Sequence, residues 1–285
     1  MTNTSIYHDI ATRTGGDIYL GLVGPVRTGK STFIKRFMET LVIPNIEDVY
    51  ARERAKDELP QSGSGRTIMT AEPKFVPEDA VAVTLDGGVN FCVRLIDCVG
   101  YMVDGASGQF EDGVERMVAT PWFDEEVPMS RAAEEGTRRV ITDHSTIGIV
   151  MTTDGSVCGI ERESYIPAEE RVVNELREIG KPFVLVLNSA NPQSEEAQAL
   201  RSELEEKYSV ACICVNCLTL DSDDIDAILK MALYEFPISE LGIYLPSWLD
   251  ALGTDSDLRS GIMQAIAGAV QDISRVRDAF GVMDA

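Results

Sequence analysis

The stretch Gly24-Pro-Val-Arg-Thr-Gly-Lys-Ser31 follows directly on the apolar run Ile18-Tyr-Leu-Gly-Leu-Val23. It satisfies G-x-x-x-x-G-K-[ST] at every fixed position. Between a strand and a helix, such a loop turns successive backbone N–H groups inward and makes a nest for phosphate oxygens. The helix expected over roughly Lys30 to Thr40 adds the positive end of its dipole. Lys30 then reaches the β- and γ-phosphates, and the Ser31 hydroxyl ligates Mg²⁺. Gly24, Arg27, Thr28, Gly29, Lys30, Ser31 and Thr32 are therefore candidate nucleotide-contacting residues.

The rest of the pattern alternates strands and helices. Val81–Leu85 and Phe91–Ile96 are two strand runs joined through Asp86-Gly-Gly-Val-Asn90, and paired glycines at that spacing predict an antiparallel hairpin. Asn45 to Pro60 is charged and partly helical, and Gln61–Thr70 reads as an irregular loop. A helix is expected near Ser130–Thr142 with Ser130 as its N-cap. Strands are expected at Thr146–Thr152, Phe183–Asn188 and Val210–Val215. Between and after them lie helices at Ala168–Ile179, closed by Gly180 and Pro182, at Glu195–Lys207 and at Asp224–Tyr234. This gives an α/β domain with six strands by Pro237. Beyond it, Leu241–Trp248 looks extended. A single helix over Asp255–Phe280 would carry the apolar stripe Leu258, Ile262, Ile266, Val270, Ile273, Val276 and Phe280, a face that has to be buried against something. The expected division is a nucleotide-binding domain over 1–237, then a linker and amphipathic helix over 238–285.

Charge narrows the partners. The 285 residues carry a formal net charge of −22, which argues against nucleic acid or an anionic membrane as a direct electrostatic partner. A bound polyanion must be held by local geometry and a divalent cation. No apolar run reaches the ~18 residues of a membrane span, and Met1–His8 lacks the features of a signal peptide. Six cysteines, several of them in apolar strands, point to reduced thiols in a cytosol rather than to a disulfide framework.

Three further stretches complete the candidate site. Arg94-Leu-Ile-Asp97-Cys-Val-Gly100 is an apolar strand ending in D-x-x-G, the arrangement of GTPase-like phosphate-loop proteins. Asp97 would hold a Mg²⁺-bound water and the Gly100 N–H would contact the γ-phosphate. Thr70, in the loop before the second strand, is where such proteins keep a Mg²⁺-ligating switch residue, and Thr67 competes for the role. After the fifth strand, Asn188-Ser-Ala-Asn191 stands where guanine readers carry N-K-x-D. The carboxylate that accepts from guanine is missing, so adenine or a looser base choice is expected. Tyr101 follows Gly100, where Ras-type enzymes place a water-orienting Gln. Hydrolysis is therefore expected to be slow, unless the water is placed from elsewhere or by a partner. Arg27 either supplies positive charge to the transition state or a neighbouring subunit, or forms a surface ion pair.

Other patterns have plainer readings. Cys212, Cys214 and Cys217 have metal-like spacing but no evident fourth ligand, and read as buried thiols. His144-Ser-Thr146 reads as a helix-to-strand connection.

Thr14–Thr32 as a whole resembles the N-terminal part of the stage IV sporulation protein A family of spore-forming bacteria. So do Asp57–Ser62, Thr67–Thr70, Glu72–Pro77, Leu95–Tyr101, Glu135–Thr137, His144–Gly148, Thr152–Gly155 and Leu233–Pro237. The resemblance implies an ATPase of GTPase-like ancestry (Ras-like, TRAFAC) with ATP and Mg²⁺ as its ligands and a six-stranded, mostly parallel sheet. Lys30, Thr70 and Asp97 would carry catalysis, and Ser31, Thr70 and Asp97 would hold the metal, Asp97 through water. Gly100 and Asn188 would join the nucleotide contacts. It further implies ATP-driven self-assembly into the basement layer of the spore coat on the forespore surface, within the mother-cell cytoplasm. A small amphipathic membrane-bound peptide would anchor that layer, and other coat proteins would bind it. Some family members have a second Thr after the sensor, where this sequence has Ala71. A different reading of the same residues is a nucleotide-dependent switch that binds partners without polymerising. A small-molecule kinase is disfavoured by D-x-x-G and by the hairpin.

Overall fold

Strand β1 (Asp17–Val23) has parallel neighbours on both sides, β3 (Val89–Asp97) and β4 (Ile147–Thr153). A strand so placed buries both faces, which is why Ile18–Val23 is nearly continuous in apolar residues. Leu20 and Leu22 are fully buried, each contributing about 1.5–3 kcal/mol of transfer free energy. The computed structural model describes residues 12, 14–60, 72–85, 89–106, 108–111, 113–238, 240–249, 252, 256–271 and 273–283.

With β2 (Lys74–Leu85), β5 (Phe183–Asn188) and β6 (Cys212–Val215), the sheet has the order β6-β5-β4-β1-β3-β2. All neighbours are parallel except β2, which runs antiparallel to β3 as the paired glycines predict. This is a six-stranded, mostly parallel α/β sheet. Both hairpin strands are longer than the apolar runs, because β2 continues from Lys74 through a register shift between Val76 and Val81.

Helix α1 (Lys30–Phe37) follows the glycine loop and passes into a π-helical turn at Met38–Val42. Helix α2 (Val49–Asp57) starts at Asp48, whose carboxylate accepts from the Tyr50 N–H at 3.1 Å. The 101–128 segment holds two short antiparallel ribbons, Phe110–Glu111 with Val114–Glu115 and Met117–Val118 with Val127–Pro128. Helix α3 spans Met129–Arg139. Ser130 is not its N-cap: Pro128 holds that position, and the Ser130 N–H donates to the Glu115 carboxylate at 3.2 Å.

Helix α4 (Ile166–Ile179) buries Val172, Val173 and Leu176 and ends where Gly180 turns left-handed, φ 71°. Helices α5 (Glu195–Tyr208) and α6 (Ser222–Tyr234) complete the alternation.

The chain divides into two compact units, Met1–Ala232 and Leu233–Ala285. The helix expected over 255–280 is two helices, α7 (Asp257–Val270) and α8 (Val276–Met283). The break has a local cause. Residues 274–276 run against 236–238, with Ile238 N–H donating to Ser274 O at 3.0 Å and Val276 N–H to Phe236 O at 3.1 Å. The Asp278 carboxylate accepts from the Ser274 and Arg275 N–H groups, starting a fresh helix as the N3 residue of a capping box does. The buried Glu235 carboxylate binds both Arg275 and Arg277. The apolar stripe is accordingly interrupted, and no residue of α7 is buried.

Candidate functional site

The loop from β1 to α1 is shaped by residues that no side chain could replace. At Gly24 φ is 133°, and a Cβ there would land on the Met151 carbonyl oxygen. At Gly100 φ is 92°, and a Cβ would meet the Gly24 carbonyl and the Lys30 Nζ. The two glycines thus let the β1 and β3 ends approach each other. Main-chain bonds close the gap: the Tyr101 N–H donates to Gly24 O at 3.2 Å and the Val26 N–H to Tyr101 O at 2.9 Å.

Lys30 is 5% exposed. Its Nζ donates to Pro25 O at 2.6 Å and to Gly24 O at 3.5 Å. Burial pulls its pKa below the ordinary lysine value, against the opposing pull of Cys98 and Asp97. Ser31 donates its hydroxyl to Asp97 Oδ2 at 2.5 Å, while Asp97 Oδ1 is buried with no hydrogen-bond partner. Burial raises the Asp97 carboxyl, opposed by the Ser31 hydrogen bond and the Lys30 charge. Both shifts disfavour the charged form of each group, as expected for ions whose compensation is incomplete.

These residues fit a metal-bound nucleotide. An ammonium held only by carbonyls suits phosphate oxygens, and a carboxylate oxygen without a donor, beside a hydroxyl, is a hard-oxygen set of the kind Mg²⁺ takes. Burial of Cys98 beside Asp97 pushes its thiol up to about 11, so it stays protonated there.

The other predicted site residues are placed as follows. Thr28 is fully buried and donates its hydroxyl to Pro25 O at 3.1 Å. Thr32 is half-buried in the first turn of α1. Arg27 is half-buried and takes φ 65°, unusual for a side-chain-bearing residue. Its carbonyl accepts from the Cys158 thiol at 3.3 Å, and Cys158 in turn meets the Tyr165 hydroxyl at 2.8 Å. Thr70, and Thr67 beside it, lie outside the described residues.

Asn188 is the tie between loops. Its Nδ2 donates to Thr28 O at 3.0 Å, and its Oδ1 accepts from the Cys217 N–H at 3.1 Å. The apolar run ending in Asn pointed to this position; its double bond to the glycine loop and to the β6–α6 connection did not show in the sequence. Asn188→Ala is expected to leave both partners unpaired and cost about 1–3 kcal/mol. Equilibrium denaturation would read this, and a loss under 0.5 kcal/mol would contradict the tie.

The Tyr101 side chain packs against helix α4. Its hydroxyl donates to Glu175, and the Arg171 guanidinium lies 4.3 Å from its ring centre. No sequence signal marked Cys158, Glu175 or Arg171. Cys212, Cys214 and Cys217 are buried free thiols, and among the described residues no group of three or more His, Cys, Asp or Glu could hold a metal. His144 packs edge-on against Phe75 at 5.2 Å.

Comparisons with known proteins bear on this arrangement. The family described as "Stage IV sporulation protein A, ATPase domain" matches residues 1–237. Stage IV sporulation protein A of Clostridioides difficile (strain 630) is 52% identical over 281 residues, 99% of this chain and 57% of that protein. The Bacillus anthracis and Bacillus subtilis (strain 168) proteins of the same name are 52% and 51% identical over 278 residues, each alignment covering 98% of this chain and 56% of theirs. The chain thus spans a little over half the length of these relatives.

Proposed function

The chain belongs to the stage IV sporulation protein A family, and from that membership we propose that it binds Mg²⁺–ATP at residues 24–32 and hydrolyses it. The observation that carries this reading is the Ser31–Asp97 pair beside a buried Lys30, with one carboxylate oxygen left without a donor. The metal, when bound, would neutralise charge on the β- and γ-phosphates and would be held by Ser31, Thr70 and, through water, Asp97. The loop N–H groups cradle the phosphates. Lys30 stabilises the charge that develops as water attacks the γ-phosphorus in line, and the Gly100 N–H contacts the γ-phosphate. Arg27 stands within the loop as a further source of positive charge for this site or for a neighbouring subunit.

Tyr101 does not supply the water's partner in this reading, because its hydroxyl is engaged with Glu175. Turnover is therefore slow. Asn188 secures the loop, and the absence of Lys and Asp from Asn188–Asn191 favours adenine. The strand order, with β2 antiparallel, supports GTPase-like (Ras-like) descent. Residues 1–237 form the nucleotide-binding domain, and 238–285 follow it as a linker with amphipathic helical character.

By family membership, hydrolysis permits self-assembly of a coat basement layer on the forespore surface in the mother-cell cytoplasm. An amphipathic membrane-bound peptide anchors the layer there, and other coat proteins bind it. No described helix is long and apolar enough to cross a membrane. The engaged Tyr101 favours one other reading, a slow nucleotide switch that binds partners without polymerising. Sedimentation with ATP, ADP and a non-hydrolysable analogue separates the two, since a monomer in all three supports the switch.

The site itself is tested by phosphate release from ATP and from GTP, each with Mg²⁺ and with EDTA. ATP turnover that EDTA abolishes is expected. Tight GTP preference would overturn the adenine reading, and no Mg²⁺-dependent turnover of either nucleotide would overturn the enzymatic one.

A further inference from the structure

A cleft of about 250 Å³ opens over Tyr101, walled by Phe123, Arg131, Glu134, Glu135, Arg138 and Arg171. Its chemistry is arginine on aromatic rings. Arg171 stacks on Tyr101, Arg131 lies 4.7 Å from the Phe123 ring centre, and Arg139 of the same helix lies 5.4 Å from that of Trp122. Arg138 and Arg139 are answered by Glu135, and Arg171 by Glu134 and Glu175. Arg131 is not: among the described residues it meets the Phe123 ring and no carboxylate. A stacked guanidinium is weakly hydrated and keeps its planar fork free for bidentate pairing with a carboxylate.

We propose that this cleft receives a carboxylate-bearing segment of a second copy of the chain, an assembly contact that rests on the self-assembly reading above. Two observations favour a second copy. With 47 acidic against 25 basic residues, the surface of another copy is rich in the complement this patch needs. The floor of the cleft, Tyr101, is also bonded on both sides of its main chain to the phosphate loop. A segment seated there therefore touches the residue next to the nucleotide site, which places contact and hydrolysis in one connected structure. An arginine patch pairs with an acidic surface rather than with its own symmetry copy. A contact between two such different surfaces, where it is head-to-tail and its rotation does not close, propagates from copy to copy.

Sedimentation with Mg²⁺–ATP over a salt series tests this on the wild-type chain, Arg131→Glu and Arg131→Lys. Wild type is expected to associate and to lose association as salt rises. Arg131→Glu should raise the half-association concentration about tenfold or more, with phosphate release in dilute solution and thermal midpoint unchanged, and Arg131→Lys should fall between. Association by Arg131→Glu equal to that of wild type would overturn this contact and leave the assembly reading standing. A wild type that hydrolyses ATP but stays monomeric with every nucleotide would overturn both.

Discussion

Replacing Lys30 by alanine is expected to lower ATP turnover about 10²–10³-fold while leaving the nucleotide-free protein no less stable. The two effects separate because the ammonium is buried against carbonyls alone. Burial already disfavours its charged form, so deleting it removes an ion whose desolvation is poorly compensated. Only when a triphosphate presents its γ-oxygens does the charge find a full partner. Phosphate release gives the first quantity and a thermal melt without nucleotide the second. Equal turnover by the variant and wild type would remove Lys30 from the mechanism. A large fall in the nucleotide-free melting point would show that the side chain is a structural member of the loop.

The largest expected loss of stability lies elsewhere, at Glu169 in the first turn of α4. Its side chain is fully buried and pairs with Arg162 at 2.9 Å. It also accepts from the Tyr208 hydroxyl at 2.8 Å and from the Thr152 hydroxyl. Those partners come from β4, α5 and the turn before α4, so one carboxylate joins three segments behind the phosphate loop. Glu169→Ala leaves the Arg162 cation without its carboxylate and the Tyr208 hydroxyl without its acceptor, with Thr152 still accepting from Arg162, and is expected to cost about 3–5 kcal/mol. Glu169→Gln, which keeps an acceptor, should cost about 1–3 kcal/mol. Denaturant titration at constant m distinguishes them. A loss under 1 kcal/mol for the alanine variant would mean that water satisfies these groups instead.

The parts of the fold legible in the sequence were those fixed by local rules. Buried strands such as Phe183–Asn188 read as continuous apolar runs, and Gly180 stops α4 because it can turn left-handed. The shape of the loop between β1 and α1 was legible because its glycines are set by close approach between backbones. Contacts made across the sheet left no such trace. Asn188 was visible as a strand-terminal polar residue, but its two partners are 160 and 29 positions away. Tyr101 was legible only as a missing Gln, since its packing on α4 depends on how the loop after β3 turns. The helix expected over 255–280 misled for a related reason. Apolar periodicity runs through the stretch, but pairing of 274–276 with 236–238 and the Asp278 cap are non-periodic features that override it.

The two outer strands of the sheet carry a consequence for how copies of this protein can meet. At one border β6 is only four residues long. At the other, β2 shifts register between Val76 and Val81, and Pro77 within that interval has no N–H to offer. Neither border is the long, regular row of free main-chain groups that templates another strand. Growth by adding sheet to sheet is thereby discouraged at both ends, as in proteins guarded against amyloid-like stacking. Contacts between copies at this sheet are then expected to come from side-chain surfaces, where sequence can specify the fit.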